Sequence, residues 1–98
     1  MPQKSNKQVS IAKSPYFVYM LRCSDATLYT GIARDLQKRV LEHNTSIKGA
    51  KYTTSRRPVC LVYSELCEDR SNALKREIVL KKMTKSAKEQ LIAKKITI

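Results

Sequence analysis

Six residues stand out as more than packing needs: Tyr19, Tyr29, Gly31, Arg39, His43 and Glu77. Phenol, imidazole, guanidinium and carboxylate are the groups from which acid–base catalysis and ion binding are built. Tyr19 and Tyr29 fall in two runs that read as adjacent strands. Gly31, two residues after Tyr29, faces the same side of the sheet. A glycine inside a strand weakens it and usually marks a close approach by another group. Arg39 and His43 are four apart on one helix face. Glu77 lies between Leu74 and Leu80, beside Ala73, and a carboxylate in an apolar arc is costly unless it meets a cation or a metal. Each residue also has an ordinary explanation. Strand tyrosines pack across strands, His43 can sit at a core edge, Arg39 can bridge Glu42 or Asp35, Glu77 can pair with Lys81, and Gly31 can mark a bulge.

The elements that must position these groups read as β-β-α-β-α-α. Tyr16 to Cys23 is aromatic and branched on both alternating faces, as in a central strand. A polar turn, Ser24-Asp25-Ala26, leads to a second strand, Thr27 to Ala33, and so to an antiparallel hairpin. Asp35 caps a helix from Leu36 to about Asn44, with Leu36, Val40 and His43 on one stripe and Arg39 on its flank. Thr45 to Pro58 is expected as a polar, basic loop of a length that is more often functional than idle. Val59 to Leu66 is a third strand. Asp69 or Ser71 caps a helix from Asn72 to about Met83. A last helix starts at Thr84 or Ser86, where Ser86-Ala87-Lys88-Glu89 fits a capping box, and Leu91, Ile92 and Ile96 can dock it. The expected class is α+β: a small three-stranded antiparallel sheet flanked by helices.

The chain has 98 residues, enough for one modest core. Residues 1–14 read as a flexible basic tail without an apolar signal-like stretch, and 15–98 as one domain. No run is long enough to cross a bilayer, so a cytoplasmic protein is the default expectation. Cys23, Cys60 and Cys67 offer no disulfide framework and, with a single histidine, no zinc spacing. Cys23 and Cys60 are expected as small core residues. Twenty Lys and Arg against eight Asp and Glu give a formal net charge of +12. So basic a domain attracts polyanions, of which nucleic acid is the commonest in a cell.

Taken together, the residues match a pattern. Val18-Tyr19-Met20, followed ten positions on by Tyr29-Thr30-Gly31, resembles the two strand triplets of the GIY-YIG nuclease family. Arg39 stands where that family has its helix arginine, His43 one turn later where it has histidine or tyrosine, and Glu77 at its metal-binding glutamate. The resemblance runs over about residues 16–95 and is to the small stand-alone, UPF0213-like members, described as predicted endonucleases. Three positions depart from the pattern. Phe17-Val18 replaces Gly-Ile, no asparagine follows Asn72, and Ile32 stands where some repair nucleases of the family carry lysine.

The resemblance implies a metal-dependent endonuclease that hydrolyses DNA phosphodiester bonds, in repair or recombination. Glu77 would hold one magnesium (or manganese) ion, and Arg39 would clamp the scissile phosphate with its planar fork. Tyr19 or Tyr29 would be the general base, with a slight preference for Tyr19. His43 would position phosphate or relay a proton, and Gly31 would leave room for the substrate backbone. Lys48, Lys51, Arg56 and Arg57, in the loop after the arginine helix, would bind DNA phosphates. DNA is the expected partner, with no membrane; a protein partner or a second copy stays open. The alternative is a nucleic-acid-binding module that keeps the fold without the chemistry.

Overall fold

A computed structural model describes residues 14–96. The expected basic tail therefore lies almost wholly outside the described residues, as does the side chain of Ile96. Three strands, β1 (Tyr16–Arg22), β2 (Leu28–Ala33) and β3 (Cys60–Cys67), form one antiparallel sheet in the order β2-β1-β3. The run that is apolar on both faces is thus the middle strand, because only there is it covered on both sides. The β1–β2 turn closes with Ala26 N–H donating to the Cys23 carbonyl at 2.9 Å. The Asp25 carboxylate accepts from the Thr27 N–H at 3.1 Å and from its hydroxyl. On β3, Met20 pairs with Tyr63 but Leu21 with Leu61, so Val62 is an extra residue in a bulge. The bulge lets Tyr63 share a face with Met20 while Leu61, two residues away, shares a face with Leu21.

Among the described residues four helices accompany the sheet in this α+β fold: α1 (Leu36–Thr45), α2 (Lys51–Thr54), α3 (Arg70–Lys82) and α4 (Lys85–Ile96). Asp35 caps α1 as expected, accepting from the Lys38 N–H at 3.1 Å. Of the two caps open for α3, Asp69 is the one used, and of those for α4, Thr84. The Ser86–Glu89 capping box does not form. Glu89 instead takes a bidentate fork from Arg22 at 2.6 and 2.7 Å, which ties α4 to the end of β1. Arg76 forks Glu65 at 2.8 and 2.9 Å and ties α3 to β3 in the same way. The expected loop 45–58 contains the single helical turn α2. A four-residue helix has almost no periodicity to read, and its stability comes from what it packs on. The third strand runs one residue later than expected. Cys60 is exposed on it rather than in the core, whereas Cys23 is buried. Cys60 sits on the edge strand beyond the cover of the helices.

The sheet has a core on each face. Val18 and Met20 pack with Tyr63, Leu80 and Ile92, beneath α3 and α4. Tyr19, Leu21, Cys23, Ala33 and Val59 form the second cluster, with Tyr29, Leu36 and Val40 against it. Thr30 pairs with Met20 and so faces the first core, and its buried hydroxyl has no hydrogen-bond partner. A buried unsatisfied hydroxyl is destabilising, so Thr30→Val is expected to stabilise the fold by about 1 kcal/mol. Urea unfolding of the two proteins checks this, and an unchanged or lower midpoint would count against the packing described.

Candidate active site

The site is built on the β1–β2 hairpin. Tyr19 and Gly31 are direct cross-strand partners. A Cβ at Gly31 would lie 2.8 Å from the Tyr19 hydroxyl and 3.0 Å from the Tyr29 ring. The sequence reading expected the glycine to leave room for substrate backbone. Here the space is filled by the two tyrosines, and Gly31 itself is buried. The small residue is needed so that Tyr19 can lie flat across its neighbour strand.

From the other layer, the Asp35 cap sets the start of α1 so that Leu36 and Val40 dock on the Tyr19 face. His43, one turn further, is then fully buried. Its Nε2 is 2.8 Å from the Tyr19 hydroxyl. Tyr29 stands edge-on to the imidazole with ring centroids 5.1 Å apart, and the two tyrosine rings are 6.4 Å apart. Arg39, on the flank of α1, donates to Glu42 at 2.9 Å and to the Lys48 carbonyl at 2.8 Å. Its guanidinium is also close enough to lower the Tyr19 pKa. Burial outweighs that, with the Tyr29 charge second, and the phenol is pushed up to about 12. Burial, then the Arg39 charge, pushes His43 down to about 4. Both members of the pair are therefore held neutral at pH 7.

Two residues join this cluster that the sequence reading did not single out. Thr53, on α2, is fully buried with its hydroxyl 2.7 Å from His43 Nδ1, and it donates to the Ala50 carbonyl at 2.9 Å. Tyr52 stacks on Tyr29 at 6.0 Å and carries Arg56 over its ring at 3.9 Å. Nothing local marks Thr53, since its burial depends on α2 folding back over His43. An aromatic residue in an otherwise polar, basic loop was the available signal for Tyr52.

The basic residues of this loop divide. Lys48 and Lys51 are exposed. Arg56 donates to Asp25 at 3.1 Å and to the Tyr52 carbonyl at 2.8 Å. Arg57 donates to the carbonyls of His43 at 2.6 Å and Ser46 at 2.7 Å, closing the C-terminal end of α1. A shallow depression of about 280 Å³ beside Arg39 is lined by Tyr16, Arg34, Lys38 and Glu42 among others.

Glu77 sits on α3 between buried Ala73 and Leu80, on the layer that covers the Val18–Met20 face. Its side chain is 16% exposed and pairs with Lys81 at 3.4 Å, and its charge is felt at Tyr19. Among the described residues there is no group of three or more His, Cys, Asp or Glu able to hold a metal by themselves. The donor set therefore fits a hydrated hard cation that takes one carboxylate and fills its remaining positions with water and phosphate. It does not fit a caged ion. No helix among the described residues is long and apolar enough to cross a membrane.

Comparison with known proteins agrees with the fold. Residues 15–90 match the family model described as the GIY-YIG catalytic domain. A UPF0213 protein of Desulfotalea psychrophila is 53% identical over 77 residues, covering 79% of this chain and 70% of its own length. One from Staphylococcus saprophyticus is 46% identical over 78 residues, covering 80% and 94%. The solution NMR structure of a UPF0213 protein from Bacillus halodurans shares the fold with a TM-score of 0.52 at 37% identity, over 81% of this chain and 83% of that one. A protein from E. faecalis does so with a TM-score of 0.57 at 38% identity, over 84% and 86%. With its sheet, its paired tyrosines and its buried helix histidine, this chain belongs to the GIY-YIG family.

Proposed function

We propose that this protein is a metal-dependent endonuclease that hydrolyses the phosphodiester backbone of DNA. The observation that carries the reading is the buried Tyr19–His43 hydrogen bond at 2.8 Å, set beside the Arg39 guanidinium. Because both groups are held neutral, the phenol keeps its proton and one of the two imidazole nitrogens keeps a free lone pair. Arg39 can only donate, so with the lone pair on Nε2 the phenol proton lies toward that nitrogen. Tyr19 is 1% exposed at rest, so the phenol must be uncovered on its Arg39 side as that fork turns to phosphate. It can then take a proton from the attacking water while its own passes to His43. The water oxygen bonds to phosphorus, the ester P–O bond opposite breaks, and the leaving oxygen is protonated from solvent. A phenol with so high a pKa is a poor base alone, and the imidazole behind it supplies the missing acceptor.

Arg39 would turn its fork from Glu42 to two phosphate oxygens, an exchange of one charge-assisted pair for another. Tyr29, half-buried beside the pair, orients the water or the phosphate. Lys48, Lys51 and Arg56, with the positive field of Arg57 behind them, hold the flanking DNA strand. Glu77 is the residue that would hold a magnesium or manganese ion, which when bound supplies charge neutralisation at the phosphate. To do so it must leave Lys81, a partly exposed pair worth little.

A second reading, a DNA-binding module without chemistry, is favoured by the engagement of Glu77 with Lys81 and of Arg39 with Glu42. Plasmid cleavage separates the two. The nuclease reading expects nicking with magnesium or manganese that EDTA abolishes. It also expects Glu77→Gln to need about tenfold more metal for half-maximal rate, roughly 1.4 kcal/mol. Tight, salt-sensitive binding with no cutting in any metal would decide for the binding module.

A further inference from the structure

His43 can place its single neutral-state proton on either ring nitrogen, and only one choice lets it accept from Tyr19. The groups around the ring decide which. At Nε2 stands the Tyr19 phenol, which holds its proton and needs an acceptor. At Nδ1 stand the Thr53 hydroxyl at 2.7 Å and, at the longer distance of 3.4 Å, the Ala50 N–H, a donor that points to the same nitrogen and competes with the hydroxyl for it. The Thr53 hydroxyl also lies 2.9 Å from the Ala50 carbonyl, which can only accept, so its proton has a partner there. A hydroxyl has one proton, so its oxygen is left to accept from Nδ1–H. In the chain Tyr19 O–H to Nε2, Nδ1–H to Thr53 Oγ1, Thr53 O–H to the Ala50 carbonyl, the three short side-chain contacts are all matched, and the long Ala50 N–H contact at 3.4 Å is the one group set against it.

We infer that Thr53 is a positioning residue that fixes the Nδ1–H tautomer of His43 and leaves Nε2 free to take the Tyr19 proton. The inference deepens the nuclease reading and rests on it for its catalytic consequence, though not for the tautomer itself. Three features support it. Thr53, His43 and Tyr19 are all essentially without solvent contact, so water cannot substitute for the hydroxyl. The one-turn helix α2 places Thr53 over the imidazole, with the Thr53 and Thr54 N–H groups at its start also given to the Ala50 carbonyl. Finally, removing the hydroxyl leaves Ala50 N–H as the neighbour of Nδ1. That group is a donor, and it favours an unprotonated Nδ1 and hence the opposite tautomer. When His43 takes up a proton in the reaction, the same oxygen remains to receive Nδ1–H. The other charges facing the ring, Arg39, Arg57 and Glu42, bear on its charge state rather than on its tautomer.

The chain has one histidine, so its imidazole nitrogens can be read without assignment by long-range ¹H–¹⁵N NMR on the full chain. In the wild type, a protonated Nδ1 and an unprotonated Nε2 are expected at pH 7. Thr53→Ser keeps that pattern, and Thr53→Val shifts at least about half of the population to Nε2–H. In cleavage of supercoiled plasmid with magnesium, Thr53→Val is expected to lower kcat about 10- to 100-fold with KM within about twofold, and Thr53→Ser to restore most of it. A wild-type protein with the proton on Nε2 would overturn the inference before any variant is made. An unchanged tautomer in folded Thr53→Val, or a kcat loss that serine does not restore, would overturn it too. If the wild type shows the expected tautomer but cuts nothing, the nuclease reading fails while the tautomer assignment stands.

Discussion

Tyr19→Phe is expected to lower the rate of DNA cleavage by roughly 10²- to 10⁴-fold while DNA binding stays within a few-fold of wild type. The substitution removes one oxygen from the centre of the site and nothing from its surface. It takes away the atom that receives the proton from water and, with it, the route to His43 Nε2. Binding is carried by other groups: the exposed Lys48 and Lys51, and the Arg39 fork. The variant also leaves Nε2 buried without its partner, which costs on the order of 1–3 kcal/mol of stability, so rates are compared below the unfolding range of both proteins. Single-turnover cleavage and fluorescence anisotropy with the same oligonucleotide give the two numbers. A Tyr19→Phe protein that cuts within tenfold of wild type would move the base role to Tyr29, which lies half-buried on the same face.

Gly31→Ala is expected to damage both fold and activity, although it adds a single carbon. That carbon would sit 2.8 Å from the Tyr19 oxygen and 3.0 Å from Tyr19 Cζ and from a Tyr29 ring carbon. The Tyr19 ring has no room to yield, since it is 1% exposed and its hydroxyl is bonded to His43. Overpacking of this kind costs about 1–3 kcal/mol. Relief by shifting the phenol would break its bond to Nε2, so cleavage should fall nearly as far as in Tyr19→Phe. The two changes are coupled in a way that can be measured. In a Tyr19→Phe background the closest clash is gone, so the stability cost of Gly31→Ala should shrink by at least about 0.5 kcal/mol. Additive costs in that cycle, from urea unfolding, would show that the glycine serves some other purpose than making room for the tyrosine.

How far the sequence could be read follows from what kind of signal each part leaves. The hairpin, the middle position of β1 and the Asp35 cap were legible because alternation and capping are local. Tyr19, Tyr29 and His43 were gathered through the resemblance to the family's triplets and helix positions, and the structure brings them to within 6.4 Å of one another as rings. Thr53 left no such trace. A threonine in a polar loop looks like any other until a helical turn, itself too short to show periodicity, folds over the imidazole. Glu89 misled for the opposite reason. Its spacing from Ser86 fits a cap, but Arg22, 67 residues away, offers a stronger charged partner. Arg57 looked like a phosphate contact by its charge, and its guanidinium is engaged by two backbone carbonyls at the end of α1. Charge is visible in a sequence, but whether a charged group is already engaged is not.

The strand order β2-β1-β3 also governs how quickly the molecule can assemble. β1 meets β2 across a short turn, and a hairpin of this kind forms in roughly 1–10 μs. Its other partner lies roughly forty to fifty residues further on, and closing a loop of that length costs entropy before any ladder bond repays it. Tyr19, Tyr29, His43 and Thr53 all precede β3 in the chain, yet the strand that carries Tyr19 is not locked in register until β3 arrives. The slow step of folding is therefore expected at the docking of β3, a strand that contributes none of these four residues. Substitutions at the β1–β3 pairs, such as Val18 with Glu65, should slow refolding, while changes confined to α4 should mainly speed unfolding.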